Sequence, residues 1–215
     1  MCKFLDKVQP KNKAQLKSLI EYAFNHNIYD LNFIDTSKIT DMSNLFMNCE
    51  YDIDVSNWNV SNVINMGCTF YNCNMFTGKG LENWDVSKVA DMELMFTWCK
   101  IFNADLSNWD MSNVENADYM FYCCKNFNCD LSKWNVSKMT DMRHMFRLCK
   151  NFDCDLSNWD VSNATDMYSM FTACENFKGK GLENWDVSKV KDMNYMFNGC
   201  DKMTIPSWYK LYRRK

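Results

Sequence analysis

The sequence predicts an α/β repeat protein: a right-handed solenoid of seven strand–helix units with one short-stranded parallel sheet along one side. Three observations predict it. A motif recurs every 24–26 residues between residues 31 and 200, and a fixed period of that length marks a repeat architecture. Each copy opens on apolar residues alternating with polar ones, the period of a strand. Each copy then runs on with apolar residues at three- and four-residue spacing, the pattern of one helix face.

The register is set by a tryptophan in six copies: Trp58, Trp84, Trp109, Trp134, Trp159 and Trp185. Ile34 anchors an earlier, seventh copy, where "IDTSKITDM" matches "WDVSKVADM". Counting the anchor as position 0, position 3 is always Ser (Ser37 to Ser188) and position 12 always Phe (Phe46 to Phe197). Position 15 is always Cys: Cys49, Cys73, Cys99, Cys124, Cys149, Cys174 and Cys200. In "LSNWDMS" the apolar Leu106, Trp109 and Met111 stand for the strand. Val114, Ala117, Met120, Phe121 and Cys124 follow as the helix face, with the Asp or Asn of position 7 in the helix's first turn, where it favours the helix dipole. A loop carrying Phe102, Phe127, Phe152 or Phe177 returns the chain to the next strand. Such a crossover makes successive strands parallel and the winding right-handed.

One unit's apolar burial does not offset the entropy of ordering its own residues, so the units must stack and cover one another. The Trp and Cys columns then read as core, since a buried Cys behaves as a small apolar residue. The ends need covers. Residues 1–30 supply an N-terminal segment with a capping helix, Leu16, Leu19, Ile20 and Ala23 lying at helical spacing. Residues 31–200 hold the seven repeats, and residues 201–215 a C-terminal cap and the basic tail Arg213, Arg214, Lys215, one domain in all.

The spacing Leu-x-x-Trp-x-Met-x-x-Val resembles a leucine-rich repeat with Trp and Val substituted. "NWDVSKVADMELMF", "LSNWDVSNATDMYSMF" and "ENWDVSKVKDMNYMF" resemble the bacterial surface-protein 26-residue repeat, the BspA-like leucine-rich-repeat family, over about residues 10–208. The resemblance implies a solenoid and, for many members, cell-surface display or adhesion.

Composition narrows the function. The net charge of −3 gives no general basic surface for nucleic acid or anionic lipid. No run of 18 apolar residues spans a membrane, and "MCKFLDKVQPKNK" lacks the apolar core of a signal peptide. Cys2 follows no apolar leader, so it does not read as an acylation site. The twelve Cys read as reduced thiols of a cytoplasmic protein, with cell-surface or secreted placement as the alternative that the resemblance implies. A zinc reading of Cys124, Cys129, Cys149 and Cys154 is set aside, because two of the four belong to the core column; no metal and no cofactor is expected. Only His26 and His144 are present, and "TGKG" and "KGKG" lack the P-loop frame, so no enzyme is expected.

What remains is a non-catalytic protein-interaction scaffold. The alternatives are a surface adhesin or structural coat protein that self-associates, or a host-directed effector. The candidate site is the convex helical face, where positions 9, 10 and 13 vary: Tyr119, Tyr122, Arg143, His144, Arg147, Tyr168 and Tyr195. Tyr and Arg are common interface anchors. Residues 76–100 and 177–201 share 18 of 25 identities yet differ at four neighbouring sites on this face, a constant frame with one changing surface. The alternative site is the concave strand face with its row of Asp85, Asp110, Asp160 and Asp186, which reads first as hydrogen-bonded structure.

Overall fold

The computed structural model describes residues 7–213. Within them the helices are α1, Lys13–Asn25, and α2, Ser207–Tyr212, with single 3₁₀ turns at Leu81–Asn83 and Leu182–Asn184. Strands are absent from the described residues, and parallel pairing is confined to isolated bridges. The expected right-handed strand–helix solenoid with its parallel sheet is therefore wrong, and so is the leucine-rich-repeat reading of the spacing. The repeats form stacked coils built from turns.

The backbone gives the reason. In every coil, positions 10 and 14 adopt the left-handed conformation: Asn44 and Asn48, Cys68 and Asn72, Leu94 and Trp98, Tyr119 and Cys123, and so on to Tyr195 and Gly199. Two left-handed residues four apart forbid a right-handed helix there. The apolar spacing arises instead from a series of tight turns, each closed by an N–H bonded to the carbonyl three residues back. In the middle coil these are Trp109 to Leu106, Val114 to Met111, Met120 to Ala117, Cys124 to Phe121 and Phe127 to Cys124, at 3.0–3.1 Å. The N–H groups that a helix would spend internally cross to the next coil. Met42, Asn44, Phe46 and Asn48 donate to the carbonyls of Asn65, Gly67, Thr69 and Tyr71 at 2.8–2.9 Å. The same four positions, 8, 10, 12 and 14, bond forward at each later junction, ending with Met167, Ser169, Phe171 and Ala173 on Asp192, Asn194, Met196 and Asn198.

The strand reading of "LSNWDMS" fails for a related reason. Its residues belong to two consecutive turns, and Asp110 Oδ1 accepts the N–H of Ser112 at 3.0 Å, an Asx turn. The residue at position 7 is not in a helix either. It forms the parallel bridge that recurs at every junction, from Asp41↔Asn65 to Asp166↔Asp192, and its side chain caps the N–H two residues on.

The core is a set of columns. Phe46, Phe70, Phe96, Phe121, Phe146, Phe171 and Phe197 stack at 5.5–5.8 Å between centroids. The loop phenylalanines press against them, Phe127 lying 4.1 Å from Phe121. Each Trp indole N–H reaches a carbonyl of the preceding coil, as Trp134 Nε1 does to Leu106 at 2.9 Å, which satisfies the one polar atom of a buried ring. Each thiol of the position-15 column from Cys73 onward donates to the carbonyl of the preceding coil's phenylalanine at 2.9–3.0 Å. A Trp and a Cys fifteen residues apart thus stitch every coil to its predecessor from both sides. The cysteines of the described residues are all free.

At the N-terminal end α1 buries Leu16, Ile20 and Ala23 against the first coil, started by the Asn12 side chain, which accepts the N–H of Gln15 at 3.0 Å. At the C-terminal end Trp208 Nε1 bonds Leu182 at 2.8 Å and so occupies the next place in the Trp column, while Tyr209 lies edge-on to Phe197 at 4.9 Å. Gly80 and Gly181 start the two 3₁₀ turns. Both are left-handed, and a Cβ on Gly80 would stand 2.4 Å from the Ser56 Cα, so only glycine lets these coils close on their neighbours. Cys2, Arg214 and Lys215 lie outside the described residues.

Candidate functional site

The turn-built edge of each coil carries positions 9 to 14, and stacking lays these side chains side by side. The ladder that joins Tyr119 N to Arg143 O and His144 N to Tyr168 O, both at 2.9 Å, fixes their register. The predicted residues meet there. Tyr119 stacks on His144 at 4.1 Å, His144 meets Tyr168 edge-on at 5.1 Å, and Tyr168 meets Tyr195 at 5.7 Å. Tyr122 packs edge-on to Tyr119 at 5.3 Å and lies under the Arg147 guanidinium at 5.9 Å. With Arg143 on its flank, six of the seven predicted residues form one connected ridge across four coils. It belongs to no helix, so the convex helical face of the sequence reading is corrected to a ridge of left-handed turns.

Their exposure is unequal. Tyr195 is 59% exposed, whereas His144 is 7% exposed and fills the space between Tyr119 and Tyr168. Burial, with Arg147 and Arg143 nearby, holds the His144 imidazole down at a pKa of about 4, so it is neutral at physiological pH. It supports the ridge from beneath.

Arg143 organises the flank. Its Nη2 bonds Asp141 Oδ2 at 2.7 Å and Asp118 Oδ2 at 2.9 Å, and its Nε bonds Asp141 Oδ1 at 2.9 Å. Asp166 stands 4.0 Å away. Asp118 is 6% exposed and its Oδ1 has no hydrogen-bond partner. Burial, reinforced by Asp141, Glu93 and Asp166, outweighs the attraction of Arg143 and pushes its carboxyl up to about 7. The same carboxylates hold Arg143 firmly charged.

Asp118 is absent from the sequence-derived readings, and Trp98 enters them only as one of the four sites at which residues 76–100 and 177–201 differ. Trp98 extends the ridge by one coil, edge-on to Tyr122 at 5.6 Å with Lys100 over its ring. Asp118 is at position 9, a variable position, and its burial follows from the coil geometry alone.

The alternative row is not a concave sheet face, because no sheet exists among the described residues. Asp85, Asp110, Asp160 and Asp186 are exposed, and each accepts the N–H of the serine two residues on at 3.0–3.1 Å. The serine hydroxyl and N–H lower the pKa values of Asp85, Asp160 and Asp186. These carboxylates are occupied as turn caps.

Among the described residues, no group of three or more His, Cys, Asp or Glu is placed to hold a metal ion, and no helix is long and apolar enough to cross a membrane. Cys129 and Cys154, the outer thiols of the zinc reading, accept the N–H groups of Leu106 and Leu131 at 3.1 Å. Comparison with curated proteins and with solved structures finds no match. One family model matches residues 14–131 and again residues 100–208, together nearly the whole repeat array, and the chain belongs to that family, described as Mycoplasma protein of unknown function, DUF285.

Proposed function

We propose that the chain is a non-catalytic protein-binding scaffold that engages its partner through the ridge of Trp98, Tyr122, Tyr119, Tyr168 and Tyr195, flanked by Arg147 and Arg143. The observation that carries this reading is the continuity of the ridge: residues as far apart in sequence as 98 and 195 make an unbroken run of ring contacts. Side chains already held by their neighbours lose little entropy on binding, and Tyr, Trp and Arg dominate interface energetics. The thiols support the same reading, since the position-15 column is spent on carbonyls inside the stack.

The test compares capture of a cell lysate by three immobilised forms: the intact chain, a ridge variant and a turn-cap variant. The ridge variant carries Tyr122→Ala, Tyr168→Ala and Tyr195→Ala, which leave Arg143 on Asp118. The turn-cap variant carries Asp85→Ala, Asp110→Ala and Asp160→Ala. Proteins retained by the intact chain and by the turn-cap variant should be lost from the ridge variant. Equal capture by all three folded forms overturns the proposal.

A further inference from the structure

The inter-coil ladder has a direction. At every junction four N–H groups, from positions 8, 10, 12 and 14, point toward the C-terminal end and meet carbonyls of positions 7, 9, 11 and 13. Bonds the other way lie outside this row, chiefly at position 6, as Glu115 N to Ala90 O at 2.9 Å, and in the return loop, as Asn176 N to Lys150 O at 3.1 Å. The stack therefore has a donor end and an acceptor end of different character.

The last coil presents the N–H groups of Met193, Tyr195, Phe197 and Gly199. Helix α2 serves part of this row: the Tyr212 hydroxyl accepts from Met193 N–H at 3.4 Å, and the Tyr209 ring packs edge-on to Phe197. Tyr195 N and Gly199 N find no acceptor among the described residues. At the other end, the carbonyls of Asp41, Ser43, Leu45 and Met47 accept no N–H among the described residues, because α1 lies beside this edge and bonds only the side chains of Asp41 and Ser43. The two edges carry the same spacing, in the same chain direction, as the rows that pair inside the stack.

Their surroundings match too. The acceptor edge borders a cleft of about 400 Å³ lined by Glu21 and Glu50, with Lys17 as its one cation. The donor edge borders a cleft of about 420 Å³ lined by Arg213. Each edge also bares an apolar side chain, Met47 at 46% and Tyr195 at 59% exposure. An unpaired backbone row is a template for another chain.

We propose that a second copy of this chain docks head to tail, its acceptor edge at residues 43–47 meeting the donor edge at residues 195–199 of the first. Helices α1 and α2 restrict the contact to these short edges, well below the 1,200–2,000 Å² of a stable interface, so the association is weak and concentration-dependent. A head-to-tail contact leaves one free edge at each end of the pair, so growth does not stop at two.

Sedimentation velocity on the full chain at low ionic strength, over roughly a hundredfold range of concentration, tests this. The weight-average sedimentation coefficient should rise continuously past the value for a dimer. Met47→Arg places a cation where Arg213 must approach, and Asn198→Glu places a carboxylate where Glu50 must approach. Each alone should weaken association by about tenfold, the effect of 1.4 kcal/mol. An equimolar mixture of the two should regain most of it, because every edge then finds a compatible mate. Circular dichroism checks that both variants keep the intact chain's fold. A chain that stays monomeric throughout, a rise that halts at dimers, or a mixture no better than its components each overturns the proposal.

Discussion

Emptying the Phe121 site tests whether the columns hold the stack together. Its ring is fully buried and touches five others: Phe127 at 4.1 Å, Phe96 and Phe146 at 5.6 Å, Trp134 at 6.2 Å and Phe102 at 6.4 Å. Phe46, at the same position of the first coil, touches two, Phe70 and Trp58, both at 5.5 Å. Phe→Ala in a packed core costs about 3–5 kcal/mol. A favourable ring pair adds about 0.5–1.5 kcal/mol beyond burial, and such terms are not additive between neighbours. Three fewer ring contacts therefore place Phe46→Ala near the bottom of that range and Phe121→Ala near the top, a gap of about 1–2 kcal/mol. Urea unfolding followed by tryptophan fluorescence reads both. The midpoint should fall further for Phe121→Ala, while Phe46→Ala should also broaden the transition as the end coil frays separately. Equal losses with unchanged slopes would show that the coils unfold as one indivisible unit and that position along the column does not matter.

Two further predictions use the titratable groups. Thiol titration in denaturant without reductant should count close to twelve, and the native protein should react slowly, since burial holds Cys124, Cys149 and Cys174 well above the usual thiol range; a denatured count near zero refutes this. Asp118, raised to about 7 in the fold, keeps its proton where the unfolded chain has lost it, so its contribution to stability falls as pH rises from about 4 to about 7. His144, lowered to about 4, acts oppositely and adds stability as pH rises from about 4 to 6.5. Asp118→Asn should therefore gain on the order of 1–2 kcal/mol over the native chain at pH 8 and little at pH 4 in urea titrations, and a gain independent of pH would contradict the assignment.

Much of the molecule was legible as periodicity. The anchors, the Phe, Cys and Trp columns and the variable positions 9, 10 and 13 could all be read directly, because each coil repeats the same contacts with its neighbour. The secondary structure could not. Apolar residues at Val114, Ala117, Met120, Phe121 and Cys124 fit a helix face, yet they equally fit a run of turns with a three-residue step. Eleven residues are too few to separate a step of 3.0 from one of 3.6. A discriminating signal was present at positions 10 and 14: Asn44, Asn48, Asn72 and Gly199 are the residue types that accept left-handed backbone most readily. In the other coils those places hold Leu, Trp, Tyr, His, Cys, Ser or Ala, which hid the pattern. Asp118 was not legible at all, since nothing in the sequence marks one Asp as buried while its neighbours cap turns in solvent.

The same two positions bear on why the ridge exists. Left-handed backbone costs a residue with a β-carbon roughly 1 kcal/mol, less for Asn and nothing for Gly. An exposed place free of other demands would drift toward Asn or Gly, as in the first coil with Asn44 and Asn48. Tyr119, His144 and Tyr195 instead carry rings at φ values of 54–57°, and Trp98 at 65°. Mutual packing stabilises Tyr119 and His144, which stack at 4.1 Å, and accounts for their retention. It does not account for Tyr195, 59% exposed at the rim with one edge-on neighbour. A bulky ring held in an unfavourable conformation and mostly bare to water gains little from the fold itself. The binding reading proposed above puts a partner contact on this ring, and Tyr195 is where the ridge and the donor edge of the stack meet.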